Sequence, residues 1–320
     1  MLARHLLLAL LLVLAGAAQA QDFPVRPITL VNGFPPGGGP DILARQLAAA
    51  LTKRLGQNVI VENKPGASGT IGAASVARAA PDGYTLLFGV ASNLVVRPAT
   101  LKVPYDPVTS FAPVVEIARG PYLLLVSSKL PVKTTREFID YARERPGKIN
   151  FGSVGPGSPH HFAGALFGRE MGLQLVHVPY KGGGPAYAAF LAGEIQMLFD
   201  SMPGPQAHLQ AGTVRALGVT GEQRLAVLPD VPTFIEQGIE GVDIHFMFGV
   251  MAPAGTPRDI VLLLNREIAH SLNDAEVRKT LARQAVAPSP GTPEAFGKRV
   301  ASELERWKKI VARTGFAGDK

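Results

Sequence analysis

The sequence contains no cysteine and a single tryptophan among its 320 residues. Without cysteine there is neither a disulfide framework nor a lipid-anchored start, so stability must come from burial, which a chain of this length can supply. Charge is also scarce: 18% of residues are charged against 47% hydrophobic, a balance that excludes a disordered chain. The net charge of +7 suits an anionic ligand or an anionic membrane surface. Lys and Arg are dispersed, with no basic run interleaved with aromatics, and nucleic acid is not an expected partner. The apolar run Leu6 to Leu14 is shorter than the roughly 20 residues that span a bilayer. It follows Arg4 and His5 and precedes Ala18-Gln19-Ala20, so residues 1–20 are read as a cleavable export signal and the chain as periplasmic. No internal repeat and no low-complexity segment interrupts the remaining 300 residues.

The mature chain is longer than one hydrophobic core usually supports, which predicts two domains. Short β-branched runs alternate with amphipathic stretches, a pattern of α/β units with parallel sheets. Ile28 to Val31, Val59 to Val61 and Thr85 to Phe88 read as strands. Leu43, Leu47, Leu51 and Leu55 recur at helical spacing before the stop at Gly56. A second series runs from Leu123 through Ile149, Leu175 and Ile195 to Val219, with helices starting at the capping box Thr134-x-x-Glu137 and near His160, Pro185 and Pro203. Thr256-Pro257 and Thr292-Pro293 predict two later helix starts. The last helix carries Phe296, Val300, Leu304, Trp307 and Val311, a stripe that needs a surface to cover. The expected domains are 21–122 with 222–320, and 123–221. A chain that leaves one domain and returns has two crossovers, which permits hinge closure.

Four predicted strands run into glycine- or proline-rich loops that precede helices: Phe34 to Asp41, Asn63 to Gly69, Ser153 to Pro159 and Tyr180 to Pro185. Such loops lie at the carboxyl ends of parallel strands, where ligands bind. The helix after each offers unpaired N–H groups and a positive dipole end. Two domains with two such loops each would surround an anion with neutral donors and need no arginine clamp. Gly37 to Asp41 lacks the Gly-Lys-Ser/Thr ending of a phosphate loop, and Gly66 to Gly72 lacks the dinucleotide spacing, so no nucleotide cofactor is expected.

The stretches Phe34-Pro35-Pro36-Gly37-Gly38-Gly39, Val61-Glu62-Asn63-Lys64-Pro65-Gly66, Ala80-Pro81-Asp82-Gly83-Tyr84-Thr85, Val178-Pro179-Tyr180-Lys181-Gly182 and Leu228-Pro229-Asp230-Val231-Pro232-Thr233 resemble the Bug family. These are extracytoplasmic solute receptors of tripartite tricarboxylate transporters, and the resemblance runs from about Pro24 to the final helix. It implies a type II periplasmic-binding-protein fold, two α/β lobes joined by crossover strands with a ligand cleft between them. It implies a carboxylate held by backbone amides and waters of the loop with Phe34, Pro36, Gly37, Gly38, Gly39 and Asp41, with Ser68 in the neighbouring loop. The opposite lobe would add Ser153, Gly155, Gly157, Ser158 and His161, then Tyr180, Lys181, Gly182 and Gly183. Asp200 matches the family's Phe-Asp position and would accept from a ligand hydroxyl or ammonium. Ala91, Ser92 and Asn93, in the loop after the third strand, would set selectivity. The implied partners are a small organic carboxylate and the transporter's membrane subunits, with a monomeric receptor. A sensor-kinase partner is the alternative.

This chain departs from the family pattern. Gly33 replaces the usual proline and Pro40 the usual threonine, which removes a hydroxyl and an N–H from the first loop. Pro156 and Pro159 also lack N–H groups, leaving Gly155, Gly157 and Ser158 as the donors there. A ligand with an apolar portion, or with one carboxylate instead of three, is expected. His160 and His161 beside Ser153 and Ser158 raise a hydrolase reading, but the Gly-x-Ser-x-Gly elbow is absent and no nearby carboxylate is placed to orient the imidazoles. The histidines lack zinc spacing, so neither metal nor enzymatic activity is expected.

Overall fold

A computed structural model of the chain describes residues 23–37, 39–202, 204–283 and 288–314. Residues 1–20, read as an export signal, and Gly38 and Pro203 lie outside the described residues. Two five-stranded sheets organise the fold. The first has the order β2 (Val59–Asn63), β1 (Ile28–Asn32), β3 (Thr85–Val90), β10 (His245–Pro253), β4 (Phe111–Pro121). The second has the order β7 (Leu175–Pro179), β6 (Ile149–Ser153), β8 (Met197–Asp200), β5 (Leu123–Ser127), β9 (Val214–Val219).

Parallel pairing holds for β2–β1–β3 and for β7–β6–β8, each joined through helices. The expected parallel pairing is joined by antiparallel pairs: β10 runs antiparallel to β3 and β4, and β5 antiparallel to β8 and β9. Each sheet therefore takes one strand inserted in reverse where the chain changes lobes. Helix α1 (Gly39–Leu55) buries Leu43, Leu47 and Leu51 on the first sheet, as their spacing demands. Also in this lobe are α2 (Thr70–Ala77) and the short α3 (Arg97–Thr100). The second lobe holds α4 (Thr135–Arg143), α5 (Pro159–Glu170), α6 (Gly183–Ala192) and α7 (Gln206–Gln210). Helices α8 (Arg258–Asn273), α9 (Ala275–Arg283) and α10 (Pro293–Thr314) complete the chain.

The two crossovers meet in a clasp. Tyr122 separates β4 from β5; its N–H donates to Thr220 Oγ1, and its carbonyl accepts from the Thr220 N–H, both at 2.9 Å. Thr220 Oγ1 also donates to the Ile244 carbonyl at 2.5 Å, just before β10. A buried threonine thus ties the outgoing and returning segments together.

Local start signals fare unevenly. Thr134 Oγ1 accepts from the Glu137 N–H at 3.1 Å, but Glu137 reaches back to the Lys133 N–H, not to that of Thr134. Thr292 caps α10 through the Ala295 N–H at 3.2 Å. Thr256 does not cap: its hydroxyl donates to the Pro253 carbonyl at 2.8 Å, and α8 starts at Arg258 with Pro257 as the N-cap.

Candidate functional site

Within the first lobe, β1 and β2 each end beside a loop that the sequence singles out, and β3 ends beside Ala91, Ser92 and Asn93. Asp41, almost fully buried, serves as the internal brace of the first loop. Its carboxylate accepts from the Gly37 N–H at 2.9 Å, Arg45 Nε at 3.0 Å and Asn63 Nδ2 at 2.8 Å. Burial alone would raise this carboxyl, but the hydrogen bonds from Arg45, Gly37 and Asn63 outweigh it and hold the group below its ordinary value. Asn63 Nδ2 also donates to the Phe34 carbonyl at 2.9 Å, so the first two loops are stitched together. Asp41→Ala leaves Asn63, Gly37 and Arg45 without the acceptor they share, a loss of about 1–3 kcal/mol. Urea unfolding would show it; a cost below about 0.5 kcal/mol would mean that the loop braces itself without the carboxylate.

The second loop is strained and closely held. Ala67 and Ser68 take positive φ values of 47° and 56°, worth roughly 1–3 kcal/mol each in non-glycine residues. Ser92 Oγ donates to the Ser68 carbonyl at 3.2 Å and Asn93 Nδ2 to the Gly69 carbonyl at 3.4 Å. Gly33 backs the same turn: a Cβ there would stand 2.6 Å from the Gly69 Cα and 2.7 Å from its carbonyl oxygen. A proline at Gly33 would force the second loop outward, which accounts for the glycine at this position.

Ala91, Ser92 and Asn93 are not in a loop. They enter a π-helical turn, Ser92–Val96, and all three are buried. Asn93 Oδ1 accepts from the Val90 N–H at 2.9 Å, and the Asn93 carbonyl accepts from Tyr105 Oη at 2.6 Å. Both ends of this amide are engaged inside the lobe. The triplet shapes the second loop from behind.

The donors expected from the β6–α5 loop of the second lobe are spent within the protein. The Gly155 N–H donates to Ser153 Oγ at 3.1 Å, the Gly157 N–H to His161 Nδ1 at 3.2 Å and the Ser158 N–H to the Gly155 carbonyl at 3.3 Å. Ser153, wholly buried, is also 2.7 Å from His177 Nε2, and the His177 ring stacks on His161 at 3.9 Å. Sequence inspection missed this pairing because His177 lies on the neighbouring strand, 24 residues away.

Asp200, at the end of β8, is likewise occupied. It accepts from the Tyr187 hydroxyl at 2.9 Å and from the Ser201 N–H at 2.7 Å, and it lies 3.1 Å from His160 Nε2. Burial first, and then the Asp200 carboxylate, push the Tyr187 hydroxyl up, so it stays a donor. The reading that no carboxylate orients these imidazoles is therefore corrected for His160: its partner comes from β8, beyond the reach of local inspection. Lys181 is exposed, and Tyr180, Gly182 and Gly183 are partly so.

Several N–H groups at helix starts are free. Among the described residues, those of Gly39 and Asp41 at α1, Ser68 in the second loop, His160 at α5, and Gly183 and Gly184 at α6 have no protein acceptor. Two surface pockets, of about 260 and 290 Å³, lie elsewhere; Asp243 and Arg306 line the first, Gln46 and Lys53 the second. Neither contains these donors. Among the described residues no cluster of His, Asp and Glu could hold a metal, and no helix is long and apolar enough to cross a membrane.

The family model for the tripartite tricarboxylate transporter family receptor matches residues 43–316. The chain belongs to this receptor family. BugT of Bordetella pertussis (strain Tohama I) is 35% identical over 304 residues, 94% of this chain and 93% of its own. Rpa4515 of R. palustris, solved with adipate, is similar at TM-score 0.86 and 36% identity, covering 92% of this chain and 99% of that one. MatC from Rhodopseudomonas palustris, solved with bound malate, matches at TM-score 0.84 and 34% identity, over 90% of this chain and 100% of that one. The two mixed α/β lobes are those of the family's periplasmic binding proteins. Arg97, which the sequence reading passed over, stands where the two lobes touch: its Nη1 is 3.4 Å from the Pro156 carbonyl oxygen. The signal available was a lone cation followed by proline, after the apolar triplet Leu94-Val95-Val96.

Proposed function

We propose that this receptor, exported to the periplasm, captures a small organic carboxylate between its lobes, performs no chemistry on it, and presents it as a monomer to the membrane subunits of a tripartite transporter. The lobes are 21–122 with 222–320, and 123–221, hinged at the Tyr122–Thr220 clasp. The reading rests on unspent N–H groups at helix starts in both lobes, donors whose natural partner is an anion. Membership of the receptor family and the malate and adipate in its relatives support the carboxylate class. The Phe34 to Asp41 loop and Ser68 contribute from one side, the His160–His161 turn and the Lys181 to Gly184 loop from the other. Asp41, Asn93, Ser153 and Asp200 act by holding those loops in place, since their side chains are engaged within the protein.

The test is a thermal-shift and calorimetric panel of mono-, di- and tricarboxylates on protein stripped by unfolding and refolding. A true ligand at 100 times its Kd raises apparent stability by about 2.7 kcal/mol. The single tryptophan, Trp307, packs against the second lobe and supplies a fluorescence readout of closure. A panel in which no carboxylate shifts the melting point, or in which the bound carboxylate is turned over, would refute the proposal.

A further inference from the structure

Arg97 opens α3 immediately after the π-helical turn that buries Ser92 and Asn93. Its guanidinium crosses to the other lobe and packs on Gly157 so closely that a Cβ on that glycine would overlap Nη1. The contact with the Pro156 carbonyl is long and uses one of five N–H donors. Among the described residues Arg97 makes no ion pair with a carboxylate. Burial draws the guanidinium below its ordinary value, opposed only by the nearby Tyr105. A partly desolvated cation with no counter-ion is costly to keep unless something arrives to pair with it. Nearby, the Gly155, Gly157 and Ser158 amides are already consumed, so Arg97 supplies the unspent positive group at this end of the β6–α5 loop.

We propose that Arg97 selects dicarboxylates, its free guanidinium edge holding the second carboxylate of a linear diacid. The inference rests on the carboxylate-receptor function proposed for this chain and deepens it. A guanidinium matches a carboxylate in planar, two-point geometry, which neither a lysine nor a row of amides reproduces. It also revises an expectation from the sequence. The prolines at 40, 156 and 159 argue for one carboxylate because they remove N–H donors, whereas Arg97 restores capacity for a second through charge.

The test measures malate, adipate, butyrate and hexanoate against the wild-type mature chain, Arg97→Met and Arg97→Lys by calorimetry, with far-UV circular dichroism as the folding control. Wild type should prefer a diacid over the monoacid of equal length. Arg97→Met should weaken diacid binding by about 10- to 100-fold, as loss of a charge-assisted hydrogen bond does, while leaving monoacid binding within about twofold. Arg97→Lys should fall between them, and it carries the test if the methionine variant does not fold. Equal losses for diacids and monoacids would make Arg97 a latch between lobes and overturn the assignment, as would unchanged diacid binding or a wild-type preference for monoacids. If wild type binds carboxylates of another class but none of these diacids, the inference falls and the receptor reading stands. If no carboxylate binds at all, both fall.

Discussion

Trp307→Ala is expected to destabilise the protein by about 3–5 kcal/mol, the range for deleting a large buried aromatic side chain. Trp307 is 1% exposed on α10 and meets the Phe162 ring edge-on, at 5.1 Å between centroids. Phe162 belongs to α5 in the second lobe, whereas α10 packs along β4 in the first. Both rings sit in one continuous apolar cluster that also includes Phe88 and Phe296 of the first lobe and Phe167 and Phe199 of the second. Truncating the indole therefore opens a cavity at the seam, not inside one lobe. Urea unfolding followed by far-UV circular dichroism is the suitable measurement, since removing the sole tryptophan removes the fluorescence signal. Phe162→Ala should cost a similar amount. The double variant should show a coupling of about 0.5–1.5 kcal/mol, the worth of an aromatic pair beyond its buried area. A single-variant cost under about 1 kcal/mol would mean that α10 is a dispensable cover.

How much the sequence disclosed depends on the range of the interactions. Helix α1 is legible because its leucines recur every four residues and Gly56 stops it, all within one element. The loops after β1, β2, β6 and β7 are legible for the same reason, their glycines and prolines being local signals. Strand β4 was missed because Pro113 and the terminal Gly120-Pro121 punctuate it like a loop, and its pairing with β10 joins residues more than 120 positions apart. Residues Ala91 to Asn93 looked like a loop because nothing in their types announces a π turn; their burial comes from neighbours in the second loop and from Tyr105. The hardest feature to foresee was the fate of donors. A sequence displays the N–H groups of Gly155, Gly157 and Ser158 but not their consumers, and Ser153, His161 and the turn's own carbonyl take them up only after folding. The same blindness hid Arg97, whose lack of a carboxylate counter-ion among the described residues is a property of the packed molecule.

Acidification is expected to weaken the folded protein through His245. This residue starts β10 opposite Pro121, with Gly221 also beside it, next to the clasp that joins the crossovers. Burial, reinforced by Arg119 and Arg306, lowers its imidazole to about 4. Asp243 stands 3.0 Å from Nδ1, but its side chain is 60% exposed and the contact is poorly directed for a hydrogen bond, so it offsets little of this. In the unfolded chain the imidazole titrates near its ordinary value of about 6.5. Between these two values the unfolded state holds more protons than the folded one, and stability falls as the pH falls. The contribution is complete above about pH 6.5, declines by about 1.4 kcal/mol per pH unit below it, and totals about 3 kcal/mol by pH 4. His245→Gln keeps a polar side chain of similar reach and cannot be charged. Chemical denaturation of both proteins from pH 7.5 to pH 4 isolates the residue, because the other titrating groups cancel in the difference. The variant should gain about 3 kcal/mol on wild type across that interval. A difference that stays flat with pH would mean that the imidazole is solvated at the clasp, and that acid acts on the fold through some other group.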